Sequence, residues 1–264
     1  MYESYRHLRF ERRGAVLVIT LDNPPTNAAD LGMHRELSTI FEDVADDADA
    51  RVVVVTGAGE RAFSAGGDIE VMRDQFTNTD SLRAQIRESH RMLHALLALE
   101  KPVIARINGH AIGFGATLAV FSDMSYAVER ARIADPHVGV GLVAGDGGAL
   151  IWPLLVGYAR AKRYLLTGDP ISGAEAADIG LITESCPDIA ALDEAVYAMA
   201  DRLAGGATRA INGTKRAVNL VLRGQIESLI EAHGGLEFES KFSADHREAV
   251  EAFRDKRTPQ FSGE

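Results

Sequence analysis

The sequence predicts an α/β fold in which strands, glycine-rich loops and helices alternate, followed by a helical tail. Three observations carry this expectation. Short apolar runs rich in valine and isoleucine recur at 15–21, 52–56 and 102–105, and such runs read as buried strands. The second and third each lead into a glycine-rich loop, 57–68 and 106–115, that ends where apolar residues begin to recur at helical spacing. Beyond residue 150 the helical pattern dominates. Spacing alone fits an open α/β sheet as well as a spiral of ββα units.

In order, 15–21 is a strand and Asp22-Asn-Pro-Pro-Thr-Asn27 is a turn by its composition. Apolar residues at helical spacing mark a helix from Leu31 to Val44. Val52–Thr56 is a strand, and Ile69–Met72 begins the next helix after the first glycine loop. His90 and His94 fall four residues apart on a helix, but position 91 is arginine and no third ligand is evident. An exposed helix face is the expected reading. Pro102–Ala105 is a strand, a helix opens on Gly113-Phe114-Gly115, and Met124–Val128 and Arg132–Ala134 are short strands. Ser172-Gly-Ala-Glu175 has the capping-box pattern that starts a helix. Further helices are expected at Ile189–Leu203, Ala210–Leu222 and Ile226–Phe253, with Arg209, Lys215 and Arg216 mostly on a solvated face. The division is a core, 1–200, that carries the site and a helical tail, 201–264.

The chain has 264 residues, enough for one substantial domain with a large core. Its net charge of −10 argues against nonspecific binding to nucleic acid or anionic membranes, so a phosphate ligand needs local basic residues. The single cysteine, Cys186, cannot form an internal disulfide and fits a reducing compartment. Met1–Arg13 carries charges of both signs without the apolar stretch of a signal peptide. No run is long enough to span a membrane. A cytoplasmic protein is expected.

Gly109, Gly113 and Gly115 cluster where a helix begins. The first N–H groups of a helix have no intrahelical partner, and the macrodipole adds partial positive charge there. Such an end suits a phosphate or a developing oxyanion. Two loop–helix units of this construction can aim two N–H donors at one oxygen.

Ala62-Phe-Ser-Ala-Gly-Gly-Asp-Ile69, Lys101-Pro-Val-Ile-Ala105, Asn108-Gly-His-Ala-Ile-Gly-Phe-Gly115 and the run from Leu166-Thr-Gly168 to Gly180-Leu181 together resemble the crotonase, or enoyl-CoA hydratase/isomerase, family over nearly the whole chain. The resemblance implies a crotonase-type spiral of ββα units with a C-terminal helical trimerisation region, and a homotrimer or dimer of trimers. It implies an acyl-CoA thioester substrate, with coenzyme A as part of the substrate and neither a permanently bound cofactor nor a metal. The thioester enolate is then held by the N–H groups of Gly67 and Phe114. Ala28, Ala65, Asp68 and Ile69 fall at positions around the adenine and pantetheine. Phe253 and Lys256 fall at positions that reach a neighbouring CoA, and Lys256-Arg257 supplies the basic spot.

The family's hydratases use two glutamates flanking a water, and both are replaced here. The first position is Thr117, whose hydroxyl has no useful basicity near neutral pH; the second, after Asp135-Pro136, is His137. An imidazole is a natural general base near pH 7. Asp146, nine residues on, is expected within hydrogen-bond reach of its other nitrogen, fixing the tautomer and stabilising the imidazolium. A branch of the family that cleaves carbon–carbon bonds of β-diketones resembles this chain in His137, Asp146 and Trp152-Pro153. It adds a histidine matched by His34 and a glutamate matched by Glu237, but has another histidine where Phe114 stands. Three functions follow: an enoyl-CoA hydratase or isomerase of unusual acid–base equipment, a β-diketone hydrolase that ignores CoA, and a non-catalytic acyl-CoA-binding or scaffold paralogue.

Overall fold

The structure, a computed structural model, describes all residues from 1 to 264. It opens with a hairpin of β1 (Leu8–Arg13) and β2 (Val16–Leu21), then α1 (Leu31–Asp46). Next come β3 (Val52–Gly57), β4 (Ala62–Ser64), α2 (Ile69–Asp74) and α3 (Thr79–Ala98). They are followed by β5 (Val103–Ile107), β6 (His110–Ile112), α4 (Phe114–Phe121), β7 (Met124–Val128) and β8 (Arg132–Ala134). A 3-10 turn at His137–Val140 leads to α5 (Gly148–Val156), α6 (Tyr158–Thr167), β9 (Ile171–Ser172), α7 (Gly173–Asp178) and β10 (Glu184–Cys186). The chain ends with α8 (Ile189–Ala204), α9 (Thr208–Ser240) and α10 (Ala244–Arg254).

The strands feed two sheets, ordered β1-β2-β3-β5-β7-β10 and β4-β6-β8-β9. Each turn of chain places one strand in each sheet: β3 then β4, β5 then β6, β7 then β8. That alternation makes the fold a ββα spiral rather than one open sheet. From β2 through β7 the large sheet is parallel. Its strands are apolar on both faces, as parallel strands covered on both sides must be, and every residue of β3 is buried. α4 packs against strands of both sheets and is buried at every residue. Its glycine-flanked start is therefore held between them. Lys101 ties the spiral to α1: its ammonium donates to the Val44, Ala45 and Asp47 carbonyls that end this helix.

The expected strands and the capping box are present; Ser172 accepts the Glu175 N–H at 3.1 Å. Four expectations need correction. β4 and β6 lie inside stretches read as glycine loops, and three-residue strands leave too little pattern to detect. Ala210–Leu222 and Ile226–Phe253 are not two helices with a break near Gly224. α9 runs unbroken for 33 residues, and the stop comes at Ser243, which caps α10 by accepting the His246 N–H. Residue 200, the expected end of the core, falls inside α8, and residues 205–207 join α8 to α9. Lys215 is buried and paired with Asp123 at 2.7 Å, not solvated.

Candidate active site

The two glycine-rich loops touch. Gly66 has φ +83°, and a β-carbon there would lie 2.6 Å from the Ile112 carbonyl oxygen, so only glycine allows the approach. This brings Gly67, just before α2, beside the start of α4. Around Gly67, the Ala29 N–H donates to the Gly66 carbonyl at 2.7 Å and the Asp68 N–H to the Ala29 carbonyl at 3.3 Å, while the Gly67 N–H has no acceptor in the chain. The Gly113 N–H is spent on the Ala134 carbonyl at 2.8 Å; that of Phe114, the first residue of α4, is not. Gly67 and Phe114 line one cavity of about 540 Å³.

His137 faces the same cavity. Its Cε1 is 3.9 Å from where a β-carbon on Gly113 would stand. Nδ1 donates to the Asp135 carboxylate in a very short contact. Asp135, not Asp146, is therefore the carboxylate that orients the ring. Asp146 lies 3.7 Å from Nε2, too far for a direct hydrogen bond. Thr117 donates to the Asp146 carboxylate at 3.3 Å. The carboxylate absent from α4 at position 117 is thus supplied from the 145–148 loop, against the threonine that replaced it. The loop fits because it is glycine-rich: a β-carbon on Gly148 would lie 1.8 Å from an Asp135 oxygen, and one on Gly145 would strike the His233 carbonyl of α9.

Burial opposes charge on His137, but Asp135 and Asp146 outweigh it and raise the pKa to about 10. The two carboxylates thus favour the charged form of the ring, in which it can donate a proton as well as accept one. Burial pushes the Asp146 carboxyl up, with Asp135 and Glu237 adding and His137 opposing. A carboxylate raised in this way is the better base of the two. Donor atoms of Asp135, His137 and Asp146 lie within 4.8 Å of one another, a set that could ligate a metal.

The other expected residues line the same cavity. His34 is buried, its Nε2 2.9 Å from the Gln85 amide nitrogen and its ring tilted by 34° against that of Phe114 at 4.3 Å between centroids. Burial, with the charge of Lys241, lowers its pKa to about 3, which favours the neutral ring. Glu237 projects from α9 beside Lys241. Ala28, Ala65, Asp68 and Ile69 form one wall, and Phe253 and Lys256 belong to the rim. The Asp68 carboxylate accepts the Glu70 and Val71 N–H groups as the cap of α2, leaving its backbone to face a ligand. Of the expected Lys256-Arg257 spot, Arg257 is forked onto Glu248, while Lys256 lines the cavity together with Arg254, neither of them ion-paired. His90 is not on an exposed face: it is buried and packs against Gly234 of α9, while His94 is exposed. The sequence reading missed Asp135, Gln85, Lys241 and Arg254. An aspartate two residues before a histidine at a strand end was the available signal for the first.

Comparison with known proteins finds relatives along the whole chain. A family described as enoyl-CoA hydratase/isomerase matches residues 11–264. A probable enoyl-CoA hydratase of Rhodobacter capsulatus is 35% identical, across 98% of this chain and 99% of that protein. A crotonyl-CoA hydratase of Syntrophomonas wolfei is 32% identical, across 98% of each. The crystal structure of an enoyl-CoA hydratase/isomerase from Mycobacterium paratuberculosis superposes with a TM-score of 0.88 at 34% identity, covering 93% of this chain and 97% of that one.

Proposed function

The chain belongs to the enoyl-CoA hydratase/isomerase family, and from that premise we propose that it hydrates a 2-enoyl-CoA thioester with an aspartate–histidine pair in place of two glutamates. The observation that carries the proposal is the arrangement in one cavity of two free N–H groups, Gly67 and Phe114, with the Asp146 carboxylate and the His137 ring. Asp146 takes a proton from water as its oxygen bonds to C3. The π electrons move toward the thioester, and the N–H pair holds the enolate oxygen; one such donor contributes roughly 3 kcal/mol. His137 then protonates C2, and the proton on Asp146 passes back to the ring. Charge builds on oxygen and is quenched on carbon, so no redox step arises. Coenzyme A enters as part of the substrate, its phosphates met by Lys256 and Arg254 on the rim.

The same cavity also gathers His34 and Glu237, which favours a second reading, the hydrolysis of a β-diketone. For oligomeric state we propose a homotrimer or dimer of trimers. Supporting this, Val218 and Val221 of α9 are each about 70% exposed, a cost that subunit association removes.

The test is turnover and binding of short 2-enoyl-CoAs and cyclic β-diketones by wild type and His137→Ala. Hydration should fall by roughly 10² to 10⁴ in the variant, with saturated acyl-CoA still bound. Unimpaired turnover refutes the role of His137. Turnover of diketones alone selects the hydrolase, and acyl-CoA binding without turnover of anything selects a non-catalytic paralogue. Light scattering that returns a monomer refutes the trimer.

A further inference from the structure

One ion pair in the cavity has no part in that chemistry. Glu237, in the last turn of α9, and Lys241, the residue that caps it, lie four positions apart, with side chains only 10% and 7% exposed. Their charged ends are 3.5 Å apart, beyond an ordinary hydrogen bond. Neither end makes another bond to the chain. Neither is among the buried polar atoms sealed away without partners, and both residues line the cavity. A buried ion pair offsets its desolvation only when further hydrogen bonds satisfy both partners. Glu237 is the one carboxylate with which Lys241 forms an ion pair.

We propose that Glu237 and Lys241 form a polar subsite for an uncharged oxygen-bearing acyl group, a hydroxyl or ketone beyond the reacting double bond. A hydroxyl satisfies both partners, donating to Glu237 and accepting from Lys241; a ketone satisfies Lys241. A plain alkyl chain would strip water from both charges and return nothing. A carboxylate on the acyl group would face Glu237, Asp146 and Asp135 together. This assignment rests on the acyl-CoA reading above and narrows it to oxygenated acyl chains.

The experiment compares kcat/KM for 2-hexenoyl-CoA with its 4-, 5- and 6-hydroxy and 5-oxo derivatives, and with 2-hexenedioyl-CoA. In the wild type at least one neutral oxygenated substrate should exceed the plain one tenfold or more. Lys241→Met should bring that ratio to about one, and Lys241→Arg should retain part of it. Calorimetry with the corresponding saturated thioesters reads the same ratio whether or not turnover occurs. A wild-type ratio near one, a ratio unchanged in Lys241→Met, or preference for the diacid overturns the subsite and leaves the acyl-CoA reading intact. Failure of every CoA thioester to bind overturns the acyl-CoA reading and the subsite with it.

Discussion

Replacing Asp135 by asparagine should convert His137 from a ring whose charged form is favoured into a group that titrates in the physiological range. The amide oxygen can still accept from Nδ1, so ring orientation is kept while the charge is removed. Opposite charges about 4 Å apart in an effective dielectric of about 20 attract by about 4 kcal/mol. At 1.36 kcal/mol per unit, that corresponds to about three pKa units. His137 should therefore fall from about 10 to about 7. Since the proposed step needs the protonated ring, wild-type hydration should hold through pH 9, whereas the variant should lose rate above neutrality. Histidine ring NMR across a pH series reads the ionisation directly, and loss of enoyl-thioester absorbance reads the rate. An unchanged His137 titration, or a variant whose rate stays level from pH 7 to pH 9, would refute the assignment of Asp135 as the group that holds the proton.

Thr117→Val keeps the shape of the side chain but removes the donor to Asp146. A hydrogen bond to a charged group is worth about 1.5–3 kcal/mol, so kcat should drop roughly tenfold or more, with Thr117→Ser close to wild type; equal rates in all three would remove Thr117 from the site. Gly148→Ala drives a β-carbon onto Asp135 and should cost about 1–3 kcal/mol in urea unfolding, along with most activity. His246 donates to the Val140 carbonyl, and burial lowers its pKa to about 4. The unfolded chain therefore binds this proton near pH 6.5 and the folded one only near 4. Its contribution is present above pH 6.5 and is lost as pH falls toward 4, by about 3 kcal/mol in all. Unfolding midpoints at pH 7 and pH 5 should differ in that sense, and His246→Asn should flatten the difference.

Strands such as β2, β3 and β5 could be read from the sequence because both faces are buried, which leaves an uninterrupted apolar run. That Gly67 and Phe114 would come together with unpaired N–H groups was also legible, since backbone donors at glycine-flanked helix starts depend on chain geometry rather than on side-chain identity. The proton chemistry was read only in outline. His137 and Asp146 stand out by type, but which carboxylate meets which ring nitrogen depends on side-chain torsions across three separate segments. Burial, which shifts the proton affinities of both His137 and Asp146, has no local signature. His90 and Lys215 were misplaced for a related reason: periodicity identifies faces of a helix but not what a distant helix such as α9 will cover.

The wedging of the 145–148 loop against α9 has a consequence in time. A chain emerging from the ribosome presents Gly67, Phe114, His137 and Asp146 well before α9 has been made. Until then the cavity lacks the wall that Glu237 and Lys241 form, and water reaches Asp135 and His137 freely. Contacts between segments so far apart in sequence carry a large loop-closure cost and form slowly. Docking of α9 should thus be the late event of folding, and the unusual proton affinities at the site arise only when the last quarter of the chain arrives.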